Sequence, residues 1–149
     1  MAEVLFYHLT ESTLEDALPG LLERSLGRGW RVAVQTGTEE RRDALDAHLW
    51  TFRDDSFLAH ATDREPYPAE QPVLLTTGAD NANGARIRFI VDGAAPPLLD
   101  GYERAVFMFD GHDTGQVEAA RDHWKAMKAA GHAVTYWQQG PDRRWERKA

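Results

Sequence analysis

Arg121, Trp124, Lys125 and Lys128 follow one another at spacings of three and four residues or stand side by side. On a helix those spacings put the four side chains on one side. They form a cationic stripe with one aromatic in it, on a chain whose formal net charge is −7. Such a stripe suits an acidic peptide or a carboxylate better than it suits catalysis. Arg121 can grip a terminal carboxylate with its fork of donors, and Lys125 and Lys128 can act as point charges for nearby acidic side chains. Capture of a C-terminal carboxylate is a recurring mode of peptide recognition. A merely solvated helix face has the same pattern. Trp124 also belongs to an apolar face with Val117, Ala120 and Met127, which places it at the border between core and stripe.

The elements that must position this stripe are strand, helix, strand. Residues 105–109 are strongly apolar, Asp113 or Thr114 opens a long helix that should run to Gly131, and residues 132–138 read as a closing strand. The chain before them alternates in the same way. Residues 3–9 and 31–36 read as strands. Ser12 followed by Glu15 is a capping-box pattern for a helix with Leu14, Leu18, Leu21 and Leu22 on its apolar face. Pro19 should kink or restart that helix, and Gly27 with Gly29 should end it. Thr38 caps a second helix with Ala44, Leu45, His48 and Leu49 inward. Residues 63–71 read as a surface loop, 72–76 as a strand and 78–84 as a polar turn. Residues 86–91 form a strand with Ile87, Phe89 and Val91 on one face. A Gly/Pro loop covers 92–101, and 141–149 is a basic tail. This alternation predicts a single α/β, Rossmann-like domain over residues 1–149, a mostly parallel sheet with helices on both faces.

Bulk composition narrows the function. A chain of 149 residues with 42% hydrophobic content and five tryptophans has enough to bury one good core. Carboxylates outnumber lysine and arginine, which argues against broad nucleic-acid binding, because backbone phosphates are held by basic surface. A role near DNA would run through another protein. The absence of cysteine excludes disulfides, thiolate catalysis and cysteine-based metal sites. No apolar run reaches the roughly 18 residues of a membrane span. The first ten residues lack a signal-peptide pattern, and a cytoplasmic location is expected.

Residue motifs for catalysis are sparse. The loop after the first strand, His8-Leu9-Thr10-Glu11-Ser12, contains no glycine and cannot bring its backbone close to a phosphate. The expectation is a scaffold without a nucleotide-binding loop, without a cofactor and without catalytic or metal-ligating residues. His112 beside Asp113 has no metal-ligand spacing around it, and no serine has a G-x-S-x-G frame. A second aromatic feature is Leu49-Trp50-Thr51-Phe52, followed by Asp54-Asp55-Ser56-Phe57-Leu58. These aromatics either close the core beneath a loop or present an anchor to a protein partner. The rival reading is a small α/β enzyme with its site at the carboxyl ends of the strands.

Taken in order, these segments resemble the chi subunit of bacterial DNA polymerase III holoenzyme. The similarity runs through Phe6-Tyr7, Leu49-Trp50 to Ser56-Phe57, Gln71-Pro72-Val73-Leu74-Leu75, Phe109-Asp110, Ala120-Arg121-Asp122-His123-Trp124-Lys125 and Gly131-His132. The resemblance implies a non-catalytic clamp-loader accessory protein with a Rossmann-like fold. It implies pairing with the psi subunit and binding of the acidic C-terminal tail of single-stranded DNA-binding protein, which ends in an apolar residue with a free carboxylate. Arg121, Trp124 and Lys125 fall on the tail-binding helix. Trp50 and Phe57 fall on the psi-facing surface, which some members use for a helicase. One position departs from better-known members, which carry a lysine where this chain has Val117. Lys128 and the cations Arg143, Arg144, Arg147 and Lys148 stand as candidates to compensate.

Overall fold

The computed structural model describes residues 2–52 and 58–149. Strand β1 (Glu3–Leu9) lies between β6 (Arg104–Asp110) and β7 (Ala133–Gln139), parallel to both. From β6 the sheet continues in parallel through β5 (Ile87–Val91), β2 (Val32–Gln35), β4 (Val73–Thr76) and the short β3 (Ala61–Thr62). Beyond β7, β8 (Trp145–Arg147) returns antiparallel. Among the described residues the order is β3-β4-β2-β5-β6-β1-β7-β8. Helices α1 (Leu14–Gly27) and α2 (Glu39–Thr51) cover one face, and α3 (Thr114–Ala129) covers the other. This is the α/β, mostly parallel arrangement expected from the alternation of elements.

Burial on both faces explains why β4, β5 and β6 are nearly continuous apolar runs. Successive side chains on a strand point to opposite faces. In β1, Leu5, Tyr7 and Leu9 therefore pack with Leu18 and Leu22 of α1, while Val4 and Phe6 pack with Ala120 and Met127 of α3. Each fully buried leucine contributes roughly 2 kcal/mol through removal of its surface from water.

Helix α1 runs unbroken through Pro19. Proline has no N–H, so the Glu15 carbonyl four residues earlier loses its helical donor. His48 Nε2 of α2 donates to that carbonyl at 2.8 Å. A neighbouring helix thus repairs the defect that was expected to kink or restart α1.

Other expectations are corrected. The N-cap of α1 is Thr13, whose side chain accepts from the Asp16 amide, while Ser12 Oγ accepts from Gln139 Nε2. On α2, Thr38 is the cap as expected. Ala44 points outward and Arg42 is buried in its place, held by Asp63 at 2.9 Å and Asp43 at 3.1 Å. Helix α3 stops at Ala129, and Gly131 at φ +86° lets the chain turn into β7. The basic tail is partly ordered as β8, and Trp145 stacks on Tyr7 at 4.5 Å between centroids.

Arg88 of β5 is fully buried. It donates to Gln35 Oε1 at 2.9 and 3.0 Å, to Tyr102 Oη at 3.1 Å, to Asp80 O at 3.2 Å, and to Gly78 O. One guanidinium thus supplies donors to carbonyls of the loop over the sheet. Arg88→Met should strand those acceptors and cost about 3 kcal/mol in urea unfolding. A loss below about 0.5 kcal/mol would show that the acceptors find other partners.

Candidate functional site

Helix α3 is fixed at its start by Asp113, whose carboxylate accepts from the Gln116 amide. Ala120 and Met127 seat it on the sheet. With that face down, Trp124 is half-buried and meets Phe6 of β1 edge-on at 5.5 Å and Tyr136 of β7 at 5.8 Å. Between them lies an apolar cleft of about 170 Å³, lined by Phe109, Val117, Ala120, Arg121, Trp124 and Tyr136. The border between core and stripe is therefore a real recess.

Arg121 and Trp124, both singled out from sequence, come together in this recess. Among the described residues Arg121 forms no hydrogen bond and no ion pair. Lys128 joins them through its ammonium, 5.1 Å from the Trp124 ring centroid, within cation–π range. Lys125 is exposed on the same helix and does not line the recess. Val117, where a cation was the expected family residue, forms part of the apolar wall instead.

Sequence reasoning missed two walls, Phe109 and Tyr136. The signal was strand alternation, which puts Phe107 and Phe109 of β6 and Val134 and Tyr136 of β7 on the α3 face. Tyr136 Oη shares a 2.6 Å hydrogen bond with His8 Nδ1, and the His8 ring stacks on Phe109 at 4.8 Å. A Cβ at Gly111 would collide with the His8 ring, so glycine is required there. Burial pushes the Tyr136 phenol up, and the Arg121 guanidinium pulls it the other way. Arg121 and Tyr136 line the same recess.

A larger cleft of about 540 Å³ opens at the carboxyl ends of β1 and β6, the usual place for a ligand on such a sheet. Three of its charged groups are bound to one another, and two more titratable side chains are held by backbone. Arg41 pairs with Glu15 at 2.8 Å and with Asp92 at 2.9 Å. His112 Nε2 donates to Thr10 O at 2.9 Å, and Asp110 Oδ1 accepts from the His112 amide. The Glu11 and Ser12 amides donate to Gln139 Oε1, so the donors of the first loop are already engaged. Among the described residues no group of three His, Cys, Asp or Glu side chains could hold a metal ion.

Trp50 lies at the end of α2, 54% exposed, with its ring 4.5 Å from that of His60. Both His60 nitrogens face oxygens, Leu58 O at 2.6 Å and Asp46 O at 3.2 Å, which fixes the platform beneath the indole. Phe52 packs against the core. Phe57 lies outside the described residues.

The model of the family described as DNA polymerase III chi subunit, HolC, matches residues 1–135. The chain belongs to this DNA polymerase III chi subunit family. Among curated relatives, the probable DNA polymerase III subunit chi of Rickettsia prowazekii (strain Madrid E) is 25% identical over 91 residues, covering 61% of this chain and 55% of the relative. The DNA polymerase III subunit chi of Pseudomonas aeruginosa PAO1 is 27% identical over 114 residues, covering 76% of this chain and 78% of the relative. The chain thus spans about half the length of the first relative and more than three quarters of the second. The chi family match stops one residue short of Tyr136, so the tyrosine wall and β8 lie past it. No helix among the described residues is long and apolar enough to cross a membrane.

Burial also lowers the pKa of His8 and of His123 on α3 from 6.5. The folded state therefore resists protonation that the unfolded chain accepts. Stability from these two groups is complete above the unfolded value and declines as pH falls below about 6.5 toward the depressed folded values. The thermal midpoint should drop between pH 7 and pH 5, and the slope should flatten in His8→Gln/His123→Gln. An unchanged slope in that variant would remove the two histidines as the cause.

Proposed function

We propose that this chain is a non-catalytic accessory subunit of DNA polymerase III holoenzyme, acting in DNA replication in the cytoplasm as a single domain. It joins the clamp loader, through the psi subunit, to the acidic C-terminal tail of single-stranded DNA-binding protein. The observation that carries this reading is the apolar recess with, at its edge, a guanidinium unpaired among the described residues. The terminal apolar side chain of the tail enters between Trp124, Phe109 and Tyr136. Its carboxylate meets Arg121, and the tail's acidic side chains meet Lys125 and Lys128. Val117 makes the recess more apolar and less cationic, so binding rests more on the buried side chain than on a row of charges.

Trp50 is the described part of the surface proposed for psi, or for a helicase that shares it, with Phe57 as its second aromatic. Large exposed aromatics of this kind are common anchors at protein interfaces. The rival reading, a small α/β enzyme, has the larger cleft at the strand ends in its favour. The mutual pairing of Arg41, Glu15 and Asp92 in that cleft weighs against it.

Arg121→Ala should weaken binding of a tail peptide about tenfold by calorimetry, the scale of one charge-assisted contact. Removing the peptide's terminal apolar residue should weaken it at least as much, and raised salt should weaken the intact pair. Equal affinity of wild type and Arg121→Ala would remove the recess as the tail site. Separately, Trp50→Ala/Phe57→Ala should abolish co-purification with psi while leaving the tail affinity unchanged. Retained psi in that variant would place the psi surface elsewhere.

A further inference from the structure

The opposite face of the sheet carries a second cleft, of about 370 Å³, between the last turns of α1 and strands β1, β5 and β6. Leu21, Phe89 and Val106 form its apolar floor, and Arg24, Arg28 and Arg104 stand around it. We propose that this cleft docks an acidic peptide segment carrying an apolar side chain, at a site separate from the α3 recess.

Charge complementarity carries the argument. One arginine at the end of a helix is accounted for by the helix dipole. Here a second, Arg28, follows the helix, and a third, Arg104, comes from a different element, on a chain with a net charge of −7. Among the described residues, Arg24 and Arg28 form no ion pair. Arg104 Nε lies 3.1 Å from Glu3 Oε1, yet it is buried without a hydrogen bond of good geometry. Glu23, on the same helix, lines a different cleft. The Tyr7 hydroxyl feels Arg104 and Arg24 together, both opposing the upward push of burial on its pKa. The guanidiniums therefore converge on one space.

The surrounding aromatics favour a peptide over single-stranded nucleic acid. Bases bind such surfaces by stacking on open rings. Arg28 already lies 4.1 Å from the Trp30 ring centroid and Arg104 5.4 Å from it. Tyr7 is stacked by Trp145 of β8. The rings have partners, whereas the arginine forks suit carboxylates. The overall acidity would also repel a long polyanion, while a short acidic segment meets mainly the local arginines.

The test uses the isotope-labelled full chain and an acetylated, amidated Asp-Leu-Asp-Glu-Phe-Asp peptide. The blocked ends withhold the terminal carboxylate that the α3 recess is proposed to read. The expected result is movement of the Tyr7 amide and Trp30 indole signals on titration. Arg24→Glu/Arg28→Glu should weaken the interaction about tenfold, and Arg24→Gln/Arg28→Gln by less. Arg24 and Arg28 are exposed, so the thermal midpoint should change little in the Gln pair and fall modestly in the Glu pair, which opposes the helix dipole. Arg121→Ala should leave the titration unchanged. No movement at about 1 mM peptide would overturn the proposal, since that corresponds to binding weaker than about 4 kcal/mol. Movement confined to α3 would also overturn it. So would a short oligothymidylate moving the Tyr7 and Trp30 signals when the peptide does not.

Discussion

Everything in this structure depends on β1 being buried between two parallel neighbours. Paired with β6 on one side and β7 on the other, it has no solvent edge. Its side chains must alternate between two apolar faces, and each face must be covered. Phe6 and His8 then become the floor and the buttress beneath α3, while Tyr7 faces α1 and β8. A one-residue slip in register would exchange these faces. Both proposed binding clefts would be lost together.

The distribution of charge is compatible with the proposed adaptor role. Several carboxylates on the described surface cap turns and helices or pair with nearby arginines, as Glu15 and Asp92 do with Arg41. Among the described residues, Arg121, Arg24 and Arg28 form no ion pair, and each lines a cleft with apolar walls. An apolar recess contributes affinity through burial, and an adjacent guanidinium contributes orientation and discrimination. Such a combination would read a short acidic segment with an apolar residue without drawing the whole acidic protein toward DNA, as proposed. Val117 tilts that balance toward burial, because the valine contributes to the wall itself.

Much of this was legible in the sequence, and the limits have physical causes. The long strands and α3 announce themselves through apolar runs and helical periodicity. Arg121 and Trp124 share a site because spacing on one helix decides it. Phe109 and Tyr136 were not legible as walls, since the recess is built by three elements far apart in sequence and only sheet order brings them together. The strands β3 and β8 are too short for periodicity to show. The continuity of α1 through Pro19 depends on a histidine from another helix. Arg42 and Arg88 violate the rule that charges face water, and only the acceptors gathered around them explain it. The same holds for Trp145, whose place on Tyr7 follows from the turn that returns β8 to the sheet.

The most direct measurement of the central claim is a nuclear magnetic resonance titration of the full chain with the tail peptide of single-stranded DNA-binding protein. The account predicts movement of the Trp124 indole and of the Tyr136 and Arg121 signals, saturating together. Movement instead at Glu15, Arg41 and His112, in the cleft at the strand ends, with Trp124 undisturbed, would contradict it.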